Sequence, residues 1–506
     1  METNASTALK NTVYNFIGYL LPSIFAILIT PVVVLKLGVK DYGIFIFINT
    51  ILSLLNILNL GTGTATIKHV AEYFSTKQIA RLKNLVYSMN TALLVIGFIG
   101  LVVCSVVGLL LPHFMPGQAV GTYSLVFVLA GLTFFFTSIT SIFNLILNAL
   151  QRFDLINKIG MSISTASSLA SLGLVLIGFK LTAIMVSQLV FAFIALWLFS
   201  RASRKILPEA KLRYAWSLEE AIKNYKFGLA TFFSNIAGTS LAYLDRLIIP
   251  IFLGPSQLTY YSLPGGITMR IPGVVGSLSG VIFPATVSLQ SLGDKEKIKR
   301  LYIRSFRLLI VIACAITVSI ILLAKKILLY WLSADFAINS TQVLIVLALT
   351  NMLLALYGPL INFLLAFSRF RFLTSMSFFM AGLNALCLLL LMPRFGINGA
   401  AWAYLISTLP IIYMFYQIEI RYLELKNRLS FYFFYFSKLI ITSLSLAILV
   451  YYLISPQINS FPTLAIGGPL AVVLFIALYF IYGFFETDDL RDLKLLYQKI
   501  TKKVIN

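Results

Sequence analysis

The chain of 506 residues holds two histidines, three cysteines and 17 acidic residues. His69 and His113 each follow the end of an apolar run, on successive runs and so near opposite faces of a membrane, and do not pair, so no metal site follows from them. Cys104, Cys314 and Cys387 all fall inside apolar runs, with neither metal nor disulfide spacing. They read as small buried hydrophobes. No glycine-rich phosphate loop of the GxxxxGK[ST] type occurs, which argues against ATP-driven work by this chain. A serine–histidine–acid set and an acidic metal cluster are also absent, and the longest outer segments run to about ten residues. That leaves no room for a catalytic domain, so the chain is expected not to be an enzyme and to need no cofactor. Residues 11–35 run too long for a signal-peptide core and lack a small-residue cleavage site, so they read as a first membrane span.

What is present is apolar. Hydrophobic residues make up 59% and charged residues 11%, and the mean hydropathy is +0.94. This composition belongs to polytopic membrane proteins. Apolar runs long enough to span a bilayer fall at 11–35, 42–66, 85–111, 122–149, 160–179, 181–200, 227–253, 258–290, 303–330, 340–367, 372–392, 397–418, 435–455 and 462–485. The expected fold is an all-α integral membrane protein of about fourteen helices. Basic linkers are expected at 201–226 and 421–434, and a charged amphipathic tail at 486–506.

A formal charge of +22 would suit nucleic acid, but its distribution argues for membrane topology. With the N-terminus placed in the cytoplasm, 31 of the 39 Lys and Arg fall in inner segments and 6 in outer ones. Arg246 and Arg270 lie inside spans. The asymmetry predicts both termini in the cytoplasm and accounts for most of the charge without a nucleic-acid partner.

The chain also repeats itself. Leu37-Gly38 with Tyr42 resembles Leu253-Gly254 with Tyr260 and Tyr261, at an offset of 216. Gln151-Arg152-Phe153 resembles Ser368-Arg369-Phe370, at an offset of 217. Six spans lie in each unit, and an even number returns the chain to the same side of the membrane. The predicted architecture is therefore two parallel six-helix lobes, 1–200 and 227–420, related by a pseudo-two-fold axis along the membrane normal, with two extra helices over 435–485. A polar cavity between the lobes is the physical expectation, and one chain would enclose the pathway as a monomer.

These residues resemble a known family. Pro31, Leu37-Gly38, Tyr42-Gly43 and Leu60-Gly61 are similar in order and spacing to the polysaccharide flippases of the Wzx or PST type, within the MOP superfamily. So are Asp245-Arg246, Leu253-Gly254, Tyr261 and Pro284, and the run Gly396-Ile397-Asn398-Gly399-Ala400-Ala401-Trp402-Ala403. The resemblance covers nearly the whole chain. It implies flipping of an oligosaccharide linked to undecaprenyl pyrophosphate across a bacterial plasma membrane, by rocking of two lobes around a cationic cavity. It also implies a lipid groove at the last two helices, and a polysaccharide polymerase with its chain-length machinery as partners.

On that reading Arg270 and Arg246 are the candidate headgroup ligands. Guanidinium forks match phosphate oxygens and stay charged. Arg270 falls about 12 residues into its span, roughly 18 Å from the outer end, flanked by Gly265, Gly266, Pro272 and Gly273, which predicts an irregular backbone. Snorkelling is the competing role for Arg246, and pairing with Asp245 for Arg270. Asp245 is the acidic residue expected inside a span. It is the carboxylate for coupling to H⁺ or Na⁺, or else a compensating charge for the arginines. Asn15, Asn49, Asn56, Asn59, Asn144, Asn148, Asn235, Asn351 and Asn362 are candidate sugar contacts, with hydrogen bonding between helices as the alternative.

Three other functions compete: a MATE-like cation-coupled multidrug exporter, a lipid II flippase and a polytopic membrane enzyme. Two arginines against one aspartate disfavour a cationic drug. Short outer segments disfavour an enzyme, and a lipid II flippase differs in substrate alone.

Overall fold

The computed structural model describes residues 25, 27–114, 120–215, 236, 238–279, 282–425 and 428–484. Helix, and no strand, is found among them. In lipid the backbone must satisfy its own hydrogen bonds, and a helix does this within one segment. The first half holds α1 (Ile27–Leu37), α2 (Val39–Ser75), α3 (Ile79–Phe114), α4 (Val120–Ala149), α5 (Phe153–Leu176) and α6 (Leu181–Ile206). There follow α7 (238–253), α8 (Pro255–Thr268), α9 (Arg270–Ser279), α10 (Ile282–Ser291), α11 (Lys295–Trp331) and α12 (Ala334–Ala366). The chain continues with α13 (Phe370–Thr408), α14 (Pro410–Arg421), α15 (Arg428–Leu449) and α16 (Phe461–Ile481). Among the described residues ten helical stretches are long and apolar enough to cross a membrane, and the chain is a multi-pass membrane protein.

One of the ten, Phe370–Arg421, is folded back on itself. Gly396 has φ +58° and ψ −138°. A Cβ on Gly399 would lie 2.3 Å from the Leu391 carbonyl oxygen. Along a straight helix residues 391 and 399 would stand about 12 Å apart. The chain therefore reverses at Gly396, between the two spans expected there.

The internal repeat is visible in the backbone. Helix α2 ends at Ser75 and α10 at Ser291, an offset of 216; α4 ends at Ala149 and α12 at Ala366, an offset of 217. Helix α5 begins at Phe153 and α13 at Phe370, again 217 apart. The left-handed residues recur too: Gly38 (φ +91°) with Gly254 (+90°), Lys77 (+56°) with Gly293 (+69°), and Gln151 (+56°) with Ser368 (+57°). Each marks a place where a helix stops and the chain turns, a conformation that Gly adopts without steric cost.

The chain forms two compact units, one up to Thr259 and one from Tyr260. In the first, α4 is central and packs on α2, α3, α5 and α6. Its core includes Met89, Phe134, Phe143 and Ile146, all fully buried. Asn90 of α3 donates to the Lys211 and Arg213 carbonyls at 2.9 and 3.1 Å, fastening the start of the basic linker. Gly43 of α2 crosses the turn after α7 so closely that a Cβ would lie 1.9 Å from the Pro255 carbonyl oxygen. Beside it the Thr259 hydroxyl donates to the Val39 carbonyl at 2.7 Å.

In the second unit α11 and α12 pack along each other. Helix α12 also contacts α9, α10, α13 and α14, while α11 contacts α15 and α16. Asp294 caps α11 by accepting the Lys297 backbone N–H at 3.0 Å. The Lys297 ammonium and that N–H hold the Asp294 carboxyl below the usual carboxylate range.

Candidate functional site

The irregular backbone expected around Arg270 is present. Helix α8 ends at Thr268, and Arg270 is the first residue of α9. Proline causes the break. Pro272 has no N–H to return to the Thr268 carbonyl, and Pro264 has none for Tyr260. The Tyr260 carbonyl accepts the Ser340 hydroxyl instead, at 2.8 Å. At the equivalent places α2 carries Ile48 and Asn56, and it runs unbroken from Val39 to Ser75. The break thus belongs to the second repeat, and it puts a half-buried guanidinium at a helix start within a membrane protein.

Helix α12 supports both ends of this short helix. Asn351, 3% exposed, donates to the Thr268 hydroxyl at 3.0 Å, and Thr268 donates to the Gly265 carbonyl at 3.1 Å. Asn362 donates to the Ser279 carbonyl, the last of α9, at 3.4 Å. Residues 351 and 362 lie about three turns apart, so they share a face.

In the first unit Asp245 and Arg246 sit on α7. Asp245 is buried, and its carboxylate accepts the Arg246 backbone N–H at 2.7 Å. The Arg246 guanidinium lies 5.7 Å from the centre of the Tyr243 ring, one turn back. A cavity of about 480 Å³ begins one residue further on. It is lined by Phe47, Ile51, Leu54, Leu55 and Leu58 of α2, by Val103, Val107, Leu110 and Leu111 of α3, and by Leu247 and Ile251 of α7. Every one of these side chains is apolar.

Polar stripes run along other helices of this unit. Asn49, Ser53 and Asn56 share a face of α2 at one-turn and two-turn spacing. Their donors bond back to the Phe45, Asn49 and Leu52 carbonyls at 2.8, 2.7 and 3.0 Å. Asn144 and Asn148 are half-buried on α4. Ser162 and Ser164 are exposed on α5, two of six Ser or Thr residues between Ser162 and Ser171. Polar groups on open faces of membrane helices mark surfaces that meet water or a polar ligand. Asn15, Asn235 and the side chain of Asn59 lie outside what the structure describes.

Sequence reasoning missed a buried polar cluster in the second unit. Tyr302 of α11 donates to Glu419 of α14 at 2.9 Å, and both are buried. Arg307, 8% exposed, donates to the Tyr435 hydroxyl of α15 at 2.8 Å. Lys438, 9% exposed, donates to the Phe484 carbonyl at 3.4 Å, with its ammonium 4.1 Å from the centre of the Phe434 ring. Arg307 and Lys438 are among the 31 Lys and Arg that the asymmetry counts with the inner segments, and Asp245 is the acidic residue expected inside a span. Glu419 lies just past the apolar window at 397–418, near the end of α14, and is buried within the protein all the same. The available signal was position, since Arg307 comes three turns after the start of α11 and is followed by an unbroken apolar run. Among the described residues no group of His, Cys, Asp and Glu could hold a metal.

Comparison with known proteins agrees with this architecture. A family profile described as "Polysaccharide biosynthesis protein" matches residues 36–340. A Shigella flexneri protein whose name assigns it to O-antigen transport is 22% identical over 346 residues, covering 67% of this chain and 80% of that protein. The structure of the lipid II flippase MurJ in an inward closed conformation superposes with a TM-score of 0.73 at 13% identity, covering 94% of this chain and all of MurJ. An inward-facing multidrug resistance MATE family transporter of the MOP superfamily gives 0.61 at 13% identity, covering 79% of this chain and 94% of that one. At such identities these two likenesses establish the fold.

Proposed function

The chain belongs to the polysaccharide biosynthesis protein family, and on that premise we propose that it is a flippase for a lipid-linked oligosaccharide. The substrate is an oligosaccharide on undecaprenyl pyrophosphate, moved from the inner to the outer leaflet of a bacterial plasma membrane. Arg270 is the observation that carries this reading. A guanidinium at the start of a proline-broken helix brings a permanent positive charge to the positive end of a helix dipole, and both favour a diphosphate.

The remaining features suit the rest of such a molecule. The apolar cavity between α2, α3 and α7 suits an isoprenoid chain, with Arg246 beside it for the phosphates. The amides and hydroxyls of α2, α4 and α5 suit sugar hydroxyls. Helix α15 and helix α16 offer further lipid contact. Transport proceeds by alternating access in a monomer, and buried Asp245 is the candidate for coupling to H⁺ or Na⁺. A polysaccharide polymerase with its chain-length machinery would receive the product. A cationic drug fits poorly beside Arg246 and Arg270.

Arg270 variants in proteoliposomes, with a short-chain fluorescent undecaprenyl-pyrophosphate oligosaccharide as probe, test the headgroup role. Loss of a charge-assisted hydrogen bond is worth about tenfold or more in rate. Arg270→Ala is therefore expected to lose transport by at least that factor, with Arg270→Lys in between and thermal midpoints unchanged. Transport unaffected by Arg270→Ala would leave Arg270 a structural residue.

A further inference from the structure

A second cavity, of about 350 Å³, lies in the unit that begins at Tyr260, beside the reversal at Gly396. Its lining comes from α12 and the two arms of α13: Gln342, Leu391, Phe395, Asn398, Trp402 and Ile406. Two of these are aromatic and two are amides. The side-chain carbonyl oxygen of Asn398 is buried and has no hydrogen-bond partner among the described residues. An acceptor left without a donor costs about 1–3 kcal/mol, which favours a turn of the Asn398 amide towards a hydroxyl or a water in the cavity.

The backbone holds the cavity in this shape. Gly396 makes the turn with positive φ, and Gly399 lets the second arm approach the Leu391 carbonyl more closely than any side chain would allow. Asn398 and Trp402, four residues apart, therefore face the same way from a rigid corner. Gln342 lies about 12 Å along α12 from its start, and Trp402 about 9 Å beyond the reversal. With the orientation set by the Lys/Arg asymmetry, both are shallow and at the outer face.

We infer that this cavity is a sugar-binding site for the outer-leaflet side of transport, taking a pyranose of the lipid-linked glycan; the inference rests on the flippase reading. Ligand sites begin at about 300 Å³, so the cavity has room for a monosaccharide. A pyranose has an apolar C–H face and a rim of hydroxyls. Phe395 and Trp402, 61% and 41% exposed, offer aromatic surface to the first. The side-chain amides of Gln342 and Asn398 offer donors and acceptors to the second. An acyl chain would have no use for two amides, and leaving them dry against lipid is costly.

The test uses the full chain in nanodiscs, free of glycoside detergents, which would compete. Tryptophan emission is followed during titration with D-glucose, D-galactose, L-rhamnose and N-acetyl-D-glucosamine. The chain has four tryptophans, so wild type is compared with Trp402→Phe. A saturable change with at least one sugar in wild type, absent in Trp402→Phe and at least about tenfold weaker in Asn398→Ala, is expected. In parallel, nanodiscs are made with dibrominated phosphatidylcholine, whose chains quench tryptophan on contact. The sugar that binds should relieve the part of this quenching that Trp402→Phe removes. No response to any of the four sugars, with Trp402 quenched by the brominated chains regardless, overturns the inference and makes the cavity a lipid groove. Glycolipid transport measured on the same preparations separates the two claims. Transport without sugar response removes the site alone, whereas sugar response without transport removes the flippase reading and leaves a sugar-binding membrane protein.

Discussion

Asn351 of α12 donates to the hydroxyl of Thr268, the last residue of α8, at 3.0 Å. The same asparagine donates to the Leu347 carbonyl of its own helix at 2.9 Å. It thus ties the broken end of one helix to the wall of another, immediately before Arg270. Asn362 does the same at the far end of α9. The break that presents Arg270 is held in place by these two amides.

Asn351→Ala removes a buried donor and leaves the Thr268 hydroxyl without it. The expected cost is about 1–3 kcal/mol, seen as a lower thermal midpoint in detergent. Transport should fall with it, because Arg270 would lose its fixed position. An unchanged midpoint would show that the helix break holds without this bond.

Gly43 and Gly254 are required for different reasons, and substitution separates them. Alanine at Gly43 places a methyl group 1.9 Å from the Pro255 carbonyl oxygen. The backbone has to move, at an expected cost of about 1–3 kcal/mol. Alanine at Gly254 has open space but keeps φ at +90°, a strain of about 1–2 kcal/mol. Gly43→Ser should therefore be worse than Gly43→Ala, whereas Gly254→Ser should match Gly254→Ala, and Gly254→Asn should be the mildest at that position. Equal losses for all variants at both positions would contradict this division. Thermal unfolding of the purified variants decides it.

Tyr435→Phe tests the buried cluster. It keeps the ring that lies 5.8 Å from Arg307 and removes the hydroxyl that accepts from it at 2.8 Å. A loss of about 1.5–3 kcal/mol is expected for a bond to a charged group. Arg307→Met, which removes the charge but keeps the bulk, should be better tolerated than Arg307→Ala. If Arg307→Met proves the more damaging of the two, the charge has a role beyond packing.

Much of the fold was legible because it is written in residues with few alternatives. Gly38 and Gly254 recur at an offset of 216 and have nearly the same φ. Gly265, Gly266, Pro272 and Gly273 announced the irregular backbone beside Arg270, and the gap between the spans 372–392 and 397–418 announced the reversal. The site was less legible. Periodicity places a residue at a depth, but it does not settle which way that residue faces in a helix that is apolar all round. Asn362 was therefore open to a sugar or a helix, and the structure gives it the Ser279 carbonyl. Counting Lys and Arg by loop also hides charges that lie a few turns inside a helix. Arg307 and Lys438 were counted as inner-face residues, and both are buried against Tyr435 and Phe484 respectively.

The most direct test of the central claim is wild-type transport. The purified chain in proteoliposomes should move the short-chain fluorescent undecaprenyl-pyrophosphate oligosaccharide between leaflets faster than protein-free liposomes, with no efflux of a cationic dye. Dye efflux without movement of the glycolipid would contradict the account and make the chain a drug exporter.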